Sequence, residues 1–510
     1  MFSRINSMYL RGLLGVRIWV EADVGDGLPG FSLVGYLASE LKEAQERVRT
    51  AIKNLNLHLL PKKITVNLSP ADFKKGGTGF DLAIAAAILS AYGAFPDSTQ
   101  KDAVFLGELG LDGRVKGIPG ILALTDQAKK CGFHRIFLSA ENAEQAAIID
   151  GIDLIPVRDL AQLHRILTGK EKETPYKREA GFWERIRLNE YDLDFCEVNG
   201  QPLLKRAAEV AAAGMHNLLI VGPAGSGKTM VAKRMPTIMP RLSLTESIEI
   251  SKIYSVSRLL SEQEPLLFRR PFRAPHHSVS PQGLTGGGSS PRPGEISLAT
   301  GGILFLDELP EMSRQALESL RQPLEEHKIT VTRVRGSYSY PADFQLLAAM
   351  NPCLCGHYPN MDMCTCTEAQ RRRYLGKISR PLLDRIDICV ETSPPRYQDL
   401  AQEENETSAV IRERVERARK IQRERFAGLG IQCNGQMSAG QVRRFCRLDK
   451  KENEFLETVF SQMGLSLRSM DKILKVARTA ADLAGSEEIG HIHLCEAVSY
   501  GKTKERYWGN

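Results

Sequence analysis

Residues 218–229 read Leu-Leu-Ile-Val-Gly222-Pro223-Ala224-Gly225-Ser226-Gly227-Lys228-Thr229. The apolar run Leu218 to Val221 has the composition of a buried strand. The next eight residues complete G-x-x-x-x-G-K-[ST]. Glycines at these positions let successive backbone N–H groups turn into one concavity that suits a polyphosphate. A helix starting at the loop adds its positive end to the same anion. Lys228 is placed for the β- and γ-phosphates and Thr229 for Mg²⁺. The chain is therefore expected to be α/β around a parallel sheet, with ATP and Mg²⁺ at Gly222–Thr229.

At 510 residues the chain is too long for one core, and two to four domains are expected. Its net charge of +7 permits a polyanionic partner without requiring one. The longest apolar stretch, Leu82 to Phe95, is too short to cross a bilayer. The N-terminus lacks a signal-peptide pattern, so a cytoplasmic location is expected, without membrane partners. Ten cysteines are then free thiols or metal ligands rather than disulfides.

Four regions are expected: an α/β domain over 1–165, a charged linker over 166–200, an ATPase core over 201–395 and a helical lid over 396–510. In the first, strands are read at Val16–Val24, Lys63–Leu68, Ala103–Leu106 and Arg135–Leu138. Ser39 opens one amphipathic helix, Asp81 stands near the start of an alanine-rich one, and another lies near Ile121–Lys130. Residues 70–89 and 105–133 resemble the Lon-protease-type domain. That family carries a serine in a glycine-rich turn and a lysine some forty residues later. Here the nearest hydroxyl is Thr78, and 117–124 offers no lysine; Lys116 lies on the wrong side of the turn. A hydroxyl nucleophile needs a base, so a non-proteolytic domain used for assembly or binding is expected.

Gly302-Ile-Leu-Phe-Leu-Asp307-Glu308 is a second apolar strand, ending in two carboxylates. Asp307 is read as the acid that orders Mg²⁺ and Glu308 as the base that activates water. A further strand, Phe344 to Met350, ends at Asn351. With RPFRAPHHS (270–278), NPCLCG (351–356), PLLDRIDI (381–388) and ILKVARTAADLA (473–484), the chain resembles the Mg-chelatase-like AAA+ ATPases of the competence-type ComM/YifB family. The resemblance implies a homo-oligomeric ring, usually a hexamer, and a motor acting on DNA as a helicase or branch-migration factor in natural transformation. It assigns Asn351 to the γ-phosphate sensor and Arg468 to a second sensor, held by the lid over the nucleotide. Arg385, preferred over Arg380, would reach a neighbouring copy's nucleotide. The rival readings are a chelatase-type motor that remodels a protein, a Lon-like ATP-dependent protease and a non-motor ATP switch.

Two segments are candidate DNA contacts. One is the Gly-, Pro- and Ser-rich stretch 270–295. The other is a hairpin over 327–344, whose Arg333 and Arg335 suit phosphates and whose Tyr338 suits stacking on a base, independent of sequence. Adjacent His276 and His277 are expected to point apart, which favours a structural or nucleotide-linked role over metal ligation. Cys353, Cys355, Cys364 and Cys366 form C-x-C-x8-C-x-C, and four thiolates suit a structural Zn²⁺. His357 is an alternative ligand; reduced thiols, an Fe–S cluster and a redox disulfide are the other readings. In the lid, a helix from Gln398 to Phe426 is expected to bury Val410, Ile411, Val415, Ala418 and Ile421, and 499–510 reads as a tail.

Overall fold

The structure is a computed structural model that describes residues 1–55, 61–96, 100–178, 181–183, 191–261, 264–288, 291–333, 336–394 and 405–508. The first sheet has seven strands. β1 (Phe2–Arg11) and β2 (Leu14–Gly25) form an antiparallel hairpin around Gly12. β3 (Gly30–Val34) runs parallel to β4 (Lys63–Ser69), which pairs antiparallel with β2. β5 (Ala103–Leu106) lies parallel to β1, while the short pair β6 (Glu108–Leu109) and β7 (Val115–Lys116) stands outside the sheet. β8 (Arg135–Ser139) and β9 (Asp153–Val157) complete the order β3-β4-β2-β1-β5-β8-β9.

The four expected strands exist to within two residues at either end; β1, β3 and β9 were not anticipated. β1 reads as polar because its buried face carries Ser3 and Ser7 beside Ile5. Ser7 Oγ donates to Phe105 O of β5 at 2.9 Å, while Ser3 Oγ is buried without a hydrogen-bond partner among the described residues. The single helix expected from Ser39 is two, Ser39–Lys42 and Ala44–Asn54, hinged at Glu43.

Described residues of the expected linker pack against both domains. Phe182 is buried against Leu122, Ile149 and Leu266, which joins the first domain to the second. The helix Ile121–Lys130 lies against the helix Leu244–Val256. Gly120 N–H donates to Ser255 O at 3.1 Å, and Lys252 Nζ meets Asp126 Oδ2 at 2.6 Å.

The second sheet is all parallel, built from β10 (Leu218–Val221), β11 (Phe272–Arg273), β12 (Ile303–Leu306), β15 (Gln345–Met350) and β16 (Ile388–Glu391). Its order is β11-β12-β15-β10-β16, so β10 is central and all four of its side chains are fully buried. Truncating Ile220 to alanine there would cost about 2–5 kcal/mol. The carboxyl ends of β10, β12 and β15 deliver Gly222, Asp307 and Asn351 to one edge. The amino ends are preceded by Asn217, Phe344 and Asp387, on the opposite edge. β13 (Lys328–Arg333) and β14 (Gly336–Pro341) form the expected hairpin.

Among the described residues after β16 there are five helices of more than six residues: Ser408–Arg425, Ala439–Phe445, Lys450–Met463, Leu467–Leu483 and His491–Trp508. On the first, Ile411, Val415 and Ala418 are buried as expected, but Val410 and Ile421 are exposed. The inward stripe instead continues through Ser408 and Gln422: Ser408 Oγ accepts from Phe195 N–H at 2.7 Å and Gln422 Oε1 from Asn434 N–H at 3.1 Å, while Gln422 Nε2 has no hydrogen-bond partner among the described residues. Residues 398–404 of that expected helix lie outside the described residues. The expected tail is helical to Trp508, since Tyr507 is buried and its hydroxyl donates to Glu391 Oε1 at 2.9 Å.

Candidate functional site

Between β10 and the helix Lys228–Ile238 the chain turns through two left-handed glycines, Gly225 (φ 75°) and Gly227 (φ 81°). Gly222 has no room for a side chain, as a Cβ there would stand 2.5 Å from Thr392 O. Lys228 Nζ is drawn back into the loop, donating to Gly222 O and Pro223 O at 2.8 Å and to Asn351 Oδ1 at 3.3 Å. Burial lowers the pKa of this ammonium, opposed by the charges of Asp307 and Glu308. Ser226 Oγ is buried without a hydrogen-bond partner among the described residues. A buried cation held only by neutral oxygens and an orphaned hydroxyl, inside a ring of backbone amides, fit a polyphosphate.

Thr229 Oγ1 donates to Asp307 Oδ2 at 2.8 Å. The two side chains expected to serve Mg²⁺ therefore meet, although they come from different elements. Asp307 Oδ1 accepts from Glu308 N–H at 2.9 Å. Glu308 itself is left-handed (φ 50°), a conformation that costs a non-glycine residue about 1–3 kcal/mol. That turn leaves its carboxylate half-exposed and 3.2 Å from His277 Nδ1. His277, expected from the sequence to have a structural or nucleotide-linked role, stands beside the paired acids. The rings of His276 and His277 do not point apart; their centroids are 4.0 Å from one another. The local turn, pinned by His276 Nδ1 against Ser278 Oγ at 2.8 Å, brings the two rings together.

Arg385 lies elsewhere. It precedes β16 and lines a cavity of about 300 Å³ at the amino edge of the sheet, with Asn217, Asp343 and Asp387. Arg468 lines the same cavity. The expectation that the lid holds Arg468 over its own loop is therefore corrected. The helix Leu467–Leu483 is anchored on the amino edge by Lys472 Nζ, which donates to Ile386 O at 3.0 Å. A four-residue β10, roughly 13 Å long, separates that edge from the loop. Arg385 Nη1 donates to Pro381 O at 2.8 Å and its other arm pairs with Glu325. Burial and the like charge of Arg468 lower the Arg385 pKa. Arg380 opens the short helix Arg380–Leu383 and is exposed.

The four cysteine sulfurs all lie within 4.8 Å of one another. Cys353 and Cys355 are separated by 3.3 Å, Cys353 and Cys364 by 3.8 Å, and Cys355 and Cys364 by 3.6 Å. Four sulfurs about 2.3 Å from one tetrahedral ion stand roughly 3.8 Å apart, so the set fits Zn²⁺. His357 is exposed and outside the set.

Tyr338 does not stand free. It and Tyr340 pack on Gly12 at the β1–β2 turn, because residues two apart share a strand face. The backbone of Arg333 ends β13, and Arg335 lies outside the described residues. In the first domain, the Thr78 hydroxyl donates to the Glu108 carboxylate. The sequence offered no base for Thr78, whereas the fold supplies this acceptor from β6. No helix among the described residues is long and apolar enough to cross a membrane.

Three segments match magnesium-chelatase families. Residues 194–400 match "Magnesium chelatase, subunit ChlI", 20–142 match "Subunit ChlI of Mg-chelatase", and 405–501 match the ChlI C-terminal family. Competence protein ComM of Haemophilus influenzae is 40% identical over 97% of this chain and 96% of its own length. YifB of Escherichia coli is 40% identical over 97% of both chains. An uncharacterised protein of Mycobacterium tuberculosis is 41% identical over 99% of both. These full-length similarities join a chain whose phosphate loop, paired acids and sheet order make one ATP site, and it belongs to the Mg-chelatase-like ATPases of the ComM/YifB family.

Proposed function

We propose that this chain is an ATP-hydrolysing motor that assembles into a ring, its ATP sites completed between copies, and that it acts on DNA. The carrying observation is the shared cavity of Arg385 and Arg468, on the edge of the sheet opposite Lys228. Neither arginine is placed for the loop of its own chain, and an adjacent copy's loop is the counterpart they suit.

Thr229 and Asp307 would hold Mg²⁺, which when bound neutralises charge on the phosphate oxygens. Lys228 would leave its carbonyl contacts for the β- and γ-phosphates, and Asn351 Oδ1 beside it marks the γ end. Glu308 Oε2 is the atom that takes the proton of the attacking water, with His277 orienting that carboxylate. Arg385 and Arg468 add positive charge from the neighbour as the γ-phosphoryl group leaves. The four cysteines would bind a structural Zn²⁺, since four thiolates leave no open position, and would fix the loop after Asn351.

DNA as substrate is supported by the basic hairpin and by the competence designation of the ComM relative. The packing of Tyr338 moves the expected contact to Arg333 and Arg335. The test is ATP turnover and strand displacement on single-stranded, duplex and forked DNA at several salt concentrations. Turnover should rise with DNA, more weakly at high salt, and the rise should vanish in Arg333→Ala/Arg335→Ala. A rate indifferent to every form of DNA would instead favour a chelatase-type motor that remodels a protein.

A further inference from the structure

A second cavity, of about 550 Å³, opens between the first domain and the ATPase core. That volume suits a small ligand, and domain junctions are favoured places for such sites. Its floor is the loop Lys74-Lys75-Gly76-Gly77-Thr78-Gly79, which runs into the eleven-residue helix Asp81–Ala91. Its other wall brings Arg258 and Arg292 from the core.

The charges are poorly matched within the chain. Lys75 is fully buried and meets no carboxylate at ion-pair distance among the described residues; its Nζ donates to Pro70 O and lies 3.5 Å from Phe73 O and 4.5 Å from the Phe73 ring centre. The side chains of Lys74, Arg258 and Arg292 have no hydrogen-bond or ion-pair partner among the described residues. Glu108, which also lines the cavity, accepts from the Thr78 hydroxyl, and a second carboxylate sits on the glycine turn: Glu40 Oε2 lies 3.4 Å from Gly77 N. It occupies the place where an external anion would go. Two phenols, Tyr9 and Tyr338, stand close together on the same cavity wall.

We infer that this cavity binds a phosphate-bearing ligand of mononucleotide size, its phosphate on the Lys74–Gly79 loop between Arg258 and Arg292. Arginine guanidinium groups and a glycine turn at a helix start are suited to a phosphate, and the phenols offer a flat apolar wall to a base. The ligand contacts both domains at once, so binding would tie the first domain to the core. The chemistry is shared by a free nucleotide and by the 5′-phosphate end of a DNA strand.

The test is calorimetry on the full chain with its ATP site saturated by AMP-PNP and Mg²⁺. The probes are AMP, inorganic phosphate, adenosine and a 5′-phosphorylated tetrathymidylate. AMP or the oligonucleotide should bind at one site per chain, at least tenfold more tightly than adenosine. Binding by AMP alone assigns the phosphate to a free nucleotide, and binding by the oligonucleotide assigns it to a DNA end. Arg258→Ala/Arg292→Ala, both exposed positions, should weaken binding at least tenfold with AMP-PNP affinity unchanged. Glu40→Gln should tighten it severalfold by removing the resident carboxylate. No binding by any phosphate-bearing probe, or binding indifferent to both variants, would overturn the inference. Neither readout depends on ATP turnover or on the DNA reading.

Discussion

Arg385 and Arg468 share one cavity at the amino edge of the sheet whose carboxyl edge carries Lys228. A residue on one edge does not serve a nucleotide on the other without a partner copy. Two consequences follow for the isolated chain. On the proposed reading it would hold the parts for binding ATP and for activating water, and would take from a neighbouring copy the arginines that stabilise the leaving phosphoryl group.

Glu308 is turned toward the loop at the cost of a left-handed backbone, with His277 3.2 Å away. Glu308→Gln should lower the rate of phosphate release at least 100-fold, while binding of a fluorescent ATP analogue stays within about twofold. His277→Ala should reduce turnover by about tenfold at unchanged KM, since it orients the base and does not touch the nucleotide. Normal turnover in Glu308→Gln would remove it from this role.

The cysteine cluster predicts one zinc per chain by emission spectroscopy of the purified protein. Cys364→Ser/Cys366→Ser should lose the metal and lower the melting temperature. Because Cys353 lies two residues beyond Asn351, turnover should fall in the same variant. A preparation free of zinc with four titratable thiols and normal stability would refute the site.

Asp387 gives a pH signature. Burial pushes its carboxyl up, but the His216 ring at 3.6 Å and the charges of Lys472 and Lys475 outweigh this and bring it to about 2, from the usual 3.8. The folded form therefore prefers the carboxylate. The resulting stability, on the order of 2 kcal/mol, is complete above about pH 4 and fades as pH falls toward 2. Asp387→Asn should be less stable at pH 7, by chemical denaturation, and the gap should close through that acid window. A gap constant from pH 7 to pH 2.5 would contradict the assignment.

Much of this was legible in the sequence where chemistry is local. The loop at Gly222–Thr229 is written in contiguous residues, and the acids at 307 and 308 mark a strand end. The meeting of Thr229 with Asp307 follows once both strands are placed in one parallel sheet. What was not legible depends on packing between distant segments. Arg468 was misplaced because the sequence of its helix does not show which edge of the sheet the helix docks on; in the fold Lys472, four residues on, fixes it by donating to Ile386 O. His276 and His277 were expected to point apart in a strand or turn, and their ring centroids instead stand 4.0 Å from one another. Tyr338 has the composition of a nucleic-acid contact, and its packing against Gly12 comes from a domain some 325 residues away in sequence. Glu108 reaches Thr78 only because β6 leaves the main sheet.

The central claim is that each ATP site is built from two copies of the chain, and mixing two defective proteins tests it most directly. Lys228→Ala keeps both arginines but spoils the loop; Arg385→Ala keeps the loop but withholds the arginine. Steady-state ATP hydrolysis should be lost in each variant alone and should reappear when the two are co-assembled, at a fraction set by how often an intact loop faces an intact arginine. Full hydrolysis by Arg385→Ala alone, or mixtures as inactive as their components, would contradict it.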